Sequence, residues 1–108
     1  MDECIFCKIV AGEIPSTKVY EDELFLGFLD VNPVTKGHTL LIPKLHSQWM
    51  HGTEDSVVGK IFITAKKLMN KMREEMHCDY VQISVVGEEI PHFHVHLIPR
   101  HFGVKITI

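Results

Sequence analysis

With 108 residues, 45% of them hydrophobic and 23% charged, the chain has the size and composition of one soluble globular domain with a single core. A net charge of −3 lacks the basic surplus of a dedicated nucleic-acid binder, and no apolar run reaches membrane-spanning length. Three cysteines suit a reducing compartment better than a disulfide framework, and the first residues show neither the basic nor the apolar region of a secretory signal, so a cytoplasmic protein is expected.

Along the chain, Cys4-Ile-Phe-Cys7 comes first. A C-x-x-C pair serves redox exchange or metal binding. The redox version opens a helix that follows a strand, and only three residues precede Cys4. Zinc is the better reading provided two more ligands come close, because structural zinc sites are four-coordinate and closed. His46 and His92 are the candidates to complete it. Lys18 to Tyr20 and Leu24 to Asp30 are predicted strands around the acidic turn Glu21-Asp22-Glu23. Alternation in the second strand puts Leu24, Leu26, Phe28 and Asp30 on one face, an aromatic ring beside a carboxylate. Asn32-Pro33 and Lys36-Gly37 punctuate a turn, and His38 to Ile42 is a third strand that Pro43 stops.

Thr53-Glu54-Asp55 supplies an N-cap candidate and acidic residues for a helix start. Beyond it Val58, Ile61, Phe62, Ala65, Leu68, Met69, Met72 and Met76 recur at helical spacing over roughly six turns. Lys60, Lys66, Lys67, Lys71 and Arg73 form its solvated face. The stripe is broad for so small a chain, so part of it is expected to meet a second subunit, together with the Tyr80 to Val86 strand that follows. Cys78 reads as a small residue at the helix end. Gly87-Glu88-Glu89 is a turn, and His92 to Pro99 is the last strand. Strands joined by tight turns around one long helix make an antiparallel α+β domain.

That last strand is the most informative segment. His92, His94 and His96 alternate with Phe93, Val95 and Leu97, which places three imidazoles on one side and apolar groups on the other. The pattern permits two chemistries. The histidines could hold a metal that activates water. They could also act directly: an imidazole donating Nδ1–H to a backbone carbonyl presents Nε2 as a lone pair for attack on phosphorus, with a neighbour steadying the phosphate or protonating the leaving group.

His92-Phe-His-Val-His-Leu-Ile98 has the form of the signature of the histidine triad (HIT) nucleotide-binding family. The chain resembles that family along nearly its whole length, through Cys4-Ile-Phe-Cys-Lys-Ile-Val-Ala-Gly-Glu-Ile-Pro15, Phe28-Leu-Asp-Val-Asn-Pro33 and Lys36-Gly-His-Thr-Leu-Leu-Ile-Pro-Lys44 with His46 following. The resemblance implies a single HIT-like α+β domain over residues 1–108. Its antiparallel sheet would have about five strands, with one long helix and with or without a second, short one. It implies His94 as the nucleophile that forms a covalent nucleotidyl-histidine, His96 at the phosphate and leaving group, and His38 near the same phosphate. Asp30 would accept the ribose hydroxyls, and Phe6, Ile9, Phe28 and Val31 would wall the base pocket. Cys4, Cys7, His46 and His92 would bind a structural zinc, and two chains would form a homodimer. The implied reaction is hydrolysis of a nucleoside 5′-monophosphate derivative, a purine phosphoramidate such as an adenylylated amine. The alternatives are hydrolysis of dinucleoside polyphosphates, or a zinc-stabilised nucleotide-binding module with little turnover that acts through protein partners.

The chain departs from the family pattern ahead of the triad. Where most members carry Gly-Gln-Ser or Gly-Gln-Thr, this sequence has Gly87-Glu88-Glu89. Gly87 keeps the freedom for its backbone to approach a ligand. A carboxylate beside a phosphate is unfavourable unless it is protonated, turned away or facing a cationic leaving group. The segment after Arg100 is also short, and the resemblance gives the C-terminus a part in leaving-group choice.

Overall fold

A computed structural model describes residues 4–103. The chain runs through α1 (Ile5–Val10), β1 (Lys18–Glu21), β2 (Phe25–Leu29), β3 (Thr39–Pro43), a 3₁₀ turn (Met50–Gly52), α2 (Asp55–Met76), β4 (Tyr80–Val86) and β5 (His94–Arg100). The five strands form one sheet in the order β1-β2-β3-β5-β4, with every neighbouring pair antiparallel. The predicted α+β architecture, a five-stranded antiparallel sheet with one long helix, is the architecture found, and the short helix left open by the sequence is α1. The segment past residue 103, expected to bear on leaving-group choice, lies outside the described residues.

Strand alternation sorts the sheet into two faces. Phe25, Leu41, Val95 and Leu97 point to one side, where Ile61, Ala65 and Leu68 of α2 close over them. Leu26, Phe28, Leu40 and Ile42 point to the other, where α1 supplies Phe6 and Ile9. Both faces of β2 and β3 are therefore buried, which is why these central strands are nearly continuous hydrophobic runs. The helical stripe packs on the chain's own core to different depths. Ile61, Ala65 and Leu68 are buried, while Val58, Phe62, Met69 and Met72 are half-buried against the same core. Ile63, outside the stripe, is 61% exposed.

Three local expectations are corrected. The helix cap falls on Glu54 without a side-chain bond, because the Thr53 hydroxyl is engaged by the Trp49 carbonyl at 2.8 Å and Ser47 Oγ at 2.7 Å. The third strand begins at Thr39 rather than His38, and its hydrogen-bonding extends through Pro43, since the Pro43 backbone needs no donor at that register. The last strand begins at His94: His92 precedes it in a turn closed by its own N–H to the Ile90 carbonyl at 2.7 Å. Among the described residues no helix is long and apolar enough to cross a membrane.

Candidate active site and metal centre

The face of the sheet opposite α2 opens into a cleft of about 1180 Å³. His38, His94 and His96 line it together with Phe6, Ile9, Phe28, Asp30, Val31, Gly87, Glu88 and Glu89. Every residue to which the resemblance gives a part in nucleotide binding or catalysis thus borders one space. Register explains the convergence. Leu40 pairs with His96 and Phe28 pairs with Leu40, so the apolar wall and the third histidine sit side by side across three strands. Val31 is 90% exposed and forms the rim.

The histidines differ in their backbone partners. His94 is buried, and its Nδ1 lies 2.6 Å from the His92 carbonyl, so Nδ1 carries the hydrogen and Nε2 keeps the lone pair. Phe6 packs edge-on against the same ring at 5.2 Å and against Phe28 at 5.5 Å, which holds the imidazole in place from the apolar side. His38 Nδ1 accepts the Val34 amide at 3.0 Å, while its Nε2 faces His96 Nδ1 at 2.9 Å and Asp30 Oδ2 at 3.6 Å. Burial lowers the His38 pKa, against the pull of Asp30. The same cause pushes His96 down to about 4, with His94 and His38 adding to it. Both rings are therefore neutral near pH 7. The Asp30 carboxylate is steadied by the Asn32 amide at 2.9 Å.

A second cluster lies behind Phe6. Sγ of Cys4 and Cys7 and one nitrogen each of His46 and His92 lie within 4.8 Å of one another. His92 Nδ1 is 3.4 Å from Cys4 Sγ and 3.6 Å from Cys7 Sγ, and His46 Nδ1 is 3.2 Å from Cys7 Sγ. The far nitrogen of His92 gives its hydrogen to the Pro43 carbonyl at 2.8 Å, which leaves Nδ1 free to ligate. Burial and the adjacent Cys4 thiol push the Cys7 thiol up to about 11. Two sulfurs and two nitrogens at this spacing are the donor set of a tetrahedral zinc, whose charge reverses the cost of ionising the thiols. Asp30, His38 and His96 also bring ligand atoms within 4.8 Å of one another. That trio is a poor metal site, since the Val34 amide on His38 Nδ1 keeps the ring hydrogen on Nε2, where a metal needs a lone pair.

Several contacts had no signal in the sequence. Gly87 is buried against the Trp49 ring, and a Cβ there would stand 3.0 Å from that ring and 3.1 Å from the Gln48 carbonyl, so Trp49 and Gln48 leave no room for a side chain. The Ser47 carbonyl accepts the Phe93 amide at 2.6 Å, which fastens the segment after His46 to the start of the triad. Ser84, opposite His96 on β4, also lines the cleft. Its place follows from β4 alternation once the register is known.

The sequence profile of the HIT domain matches residues 11–103. Adenylylsulfatase HINT3 of Arabidopsis thaliana is 38% identical over 104 residues, which are 92% of this chain and 53% of that protein. Adenosine 5′-monophosphoramidase HNT1 of Saccharomyces cerevisiae is 37% identical over 99 residues, 90% of this chain and 62% of that protein. The crystal structure of a zinc-bound histidine triad family protein from Mycobacterium smegmatis superposes with a TM-score of 0.93 at 36% identity, covering 99% of this chain and 81% of that one.

Proposed function

Because this chain belongs to the HIT family, and its relatives of named activity are hydrolases of nucleotide conjugates, we propose that it cleaves a purine nucleoside 5′-monophosphate joined through its phosphate to an amine. The observation that carries the reading is the pairing of His94 Nδ1 with the His92 carbonyl on a ring that lines the cleft. It makes Nε2 a fixed nucleophile beside an apolar slot and a carboxylate. The base rests between Phe6, Ile9, Phe28 and Val31, and Asp30 accepts the ribose hydroxyls. His94 Nε2 forms a bond to the α-phosphorus as the phosphorus–nitrogen bond breaks, and the amine leaves with a proton supplied on the His96 side. Water then attacks the nucleotidyl-histidine, which releases the mononucleotide and restores the imidazole. Cys4, Cys7, His46 and His92 hold a structural zinc behind the site, and the protein acts in the cytoplasm.

Turnover of adenosine 5′-phosphoramidate measured beside diadenosine polyphosphates and the guanosine counterparts tests the assignment. Preferential cleavage of the phosphoramidate supports it. Faster cleavage of the polyphosphates moves the chain to that reaction, and AMP binding without turnover of any of them leaves a nucleotide-binding module.

Glu88 and Glu89 are exposed on the cleft wall. Their charge opposes an anionic leaving group and tolerates an amine, which becomes cationic once protonated. Glu88→Gln is expected to raise diadenosine polyphosphate turnover relative to phosphoramidate turnover about two- to fivefold, the scale of one exposed charge pair. An unchanged ratio in both Glu88→Gln and Glu89→Gln would show that these side chains turn away from the scissile bond.

Two copies of the chain are expected to pair. The sheet order leaves β4 paired on one side only among the described residues, with Ile83 39% and Val86 53% exposed, and Ile63 lies bare on α2. An unpaired edge next to bare apolar side chains is a surface that proteins ordinarily cover. Light scattering at micromolar concentration should give the mass of two chains, and a monomer mass would reject the pairing.

A further inference from the structure

We propose that the fold gives His94 and His96 opposite tautomers, and that His38 is the positioning residue that sets the second. The two rings are neighbours on one face of β5, with centroids 4.9 Å apart. Nothing in their side-chain chemistry distinguishes them. Their partners do. His94 gives its Nδ1 hydrogen to the His92 carbonyl, an acceptor that can only accept. His96 meets His38 instead, and the direction of that bond is fixed from the opposite end. The Val34 amide, a group that can only donate, occupies His38 Nδ1. A neutral imidazole with one nitrogen accepting carries its hydrogen on the other, so His38 Nε2–H points at His96 Nδ1 across 2.9 Å. His96 Nδ1 therefore accepts, and the His96 hydrogen is on Nε2.

The relay from amide to imidazole to imidazole ends as a donor on His96. Its reverse would put the His38 hydrogen on Nδ1, against the Val34 N–H across 3.0 Å, and a hydrogen on His96 Nδ1 alone would face His38 Nε2–H across 2.9 Å. The charged groups around the pair do not undo it. Burial favours the neutral form of both rings, Arg100 acts in the same sense on His38 and His94 on His96, and Asp30 acts against. Asp30 Oδ2 stands 3.6 Å from His38 Nε2, outside hydrogen-bond reach, so His96 is the partner that receives the hydrogen. The loop that supplies the Val34 amide is itself tied to the triad strand. Thr35 Oγ1 donates to the Pro99 carbonyl at 2.9 Å, and the His38 amide closes a turn on the Thr35 carbonyl at 3.1 Å. A backbone carbonyl thus makes one histidine a nucleophile, and a backbone amide, acting through His38, makes its neighbour a hydrogen donor for the departing group.

The kinetic part of this inference rests on the hydrolase reading, whereas the tautomers do not. Long-range nitrogen–proton correlation spectra of the ¹⁵N-histidine-labelled, zinc-loaded protein read the tautomers directly. They should show the hydrogen of His94 on Nδ1 and that of His96 on Nε2. His38→Gln keeps an N–H within reach of His96 Nδ1 and should preserve the His96 pattern, while His38→Ala should mix it. On adenosine phosphoramidates of graded amine basicity, His38→Ala should cost about 10- to 100-fold for strongly basic amines, a part of what proton donation contributes, and little for good leaving groups. That cost should vanish in a His96→Ala background. A wild-type His96 protonated on Nδ1, or a His38→Ala loss of equal size with and without His96, would overturn the inference. Correct tautomers in a protein that turns over no phosphoramidate would sink the proposed reaction and leave the positioning intact.

Discussion

His94→Ala is expected to lower turnover by on the order of 10⁵–10⁶-fold, the scale seen when an enzyme loses the nucleophile of a covalent intermediate. The variant should still bind AMP within a few-fold of the parent. The apolar contacts proposed for the base come from Phe6 and Phe28, which pack on each other in one cluster with Leu26 and Leu40, only Phe6 of the two meeting the His94 ring edge-on, and Asp30 is held by the Asn32 amide. Isothermal titration with AMP beside single-turnover kinetics separates the two effects. Stereochemistry gives an independent measure. Attack by His94 and then by water inverts phosphorus twice, so a chiral thiophosphoryl substrate should end with retained configuration. Net inversion, or a His94→Ala enzyme near parental rate, would remove the nucleotidyl-histidine from the mechanism.

Loss of one metal ligand should be felt in the stability of the whole domain. The proposed zinc would bind only where the fold has gathered Cys4, Cys7, His46 and His92, and those residues span almost the full chain length. Metal binding free energy at such a site is folding free energy. At a free zinc concentration 1,000 times the Kd the contribution is about 4 kcal/mol, on the order of 20 °C in Tm for a domain of this size. Cys4→Ser, or chelation of the parent, is expected to remove most of it, while Cys78→Ser, at a buried cysteine outside the cluster, should leave the zinc content unchanged. Metal analysis of reduced protein together with thermal unfolding decides the matter. Protein that carries no zinc, or a Cys4→Ser variant that keeps both zinc and Tm, would reject the site.

Much of this was legible in residue patterns, and what was not has a common physical origin. Period-two alternation put the three triad histidines on one strip, and it correctly sent Phe93, Val95 and Leu97 into the core under α2. It could not show that His92 stands ahead of the strand, since that depends on its turn with Ile90 and on the Phe93 amide reaching Ser47. The stripe on α2 was readable because helical spacing is a local property; the cap was not, because Thr53 is claimed by residues that fold brings back to it. Gly87 was recognisable as a position where backbone must come close to something. That Trp49 was one such partner required knowledge of a contact 38 positions away. Least legible was the Val34 amide. A backbone N–H is present at almost every residue, so no side-chain pattern marks the one that orients His38.

The short helix α1 joins two equilibria. Cys4 caps it and Cys7 lies on it, so the metal site fastens both ends of a single turn whose other side presents Phe6 and Ile9 to the cleft. Phe6 touches both His92, a proposed zinc ligand, at 5.9 Å and His94 at 5.2 Å. Whatever factor zinc adds to nucleotide affinity by holding Phe6 in place, nucleotide must add to zinc affinity, since the coupling free energy between two bound ligands has one value from either side. If that coupling is favourable, a protein working at saturating substrate would retain the proposed zinc against a competitor better than the same protein at rest, and scarcity of zinc would weaken first those molecules that have nothing in the cleft.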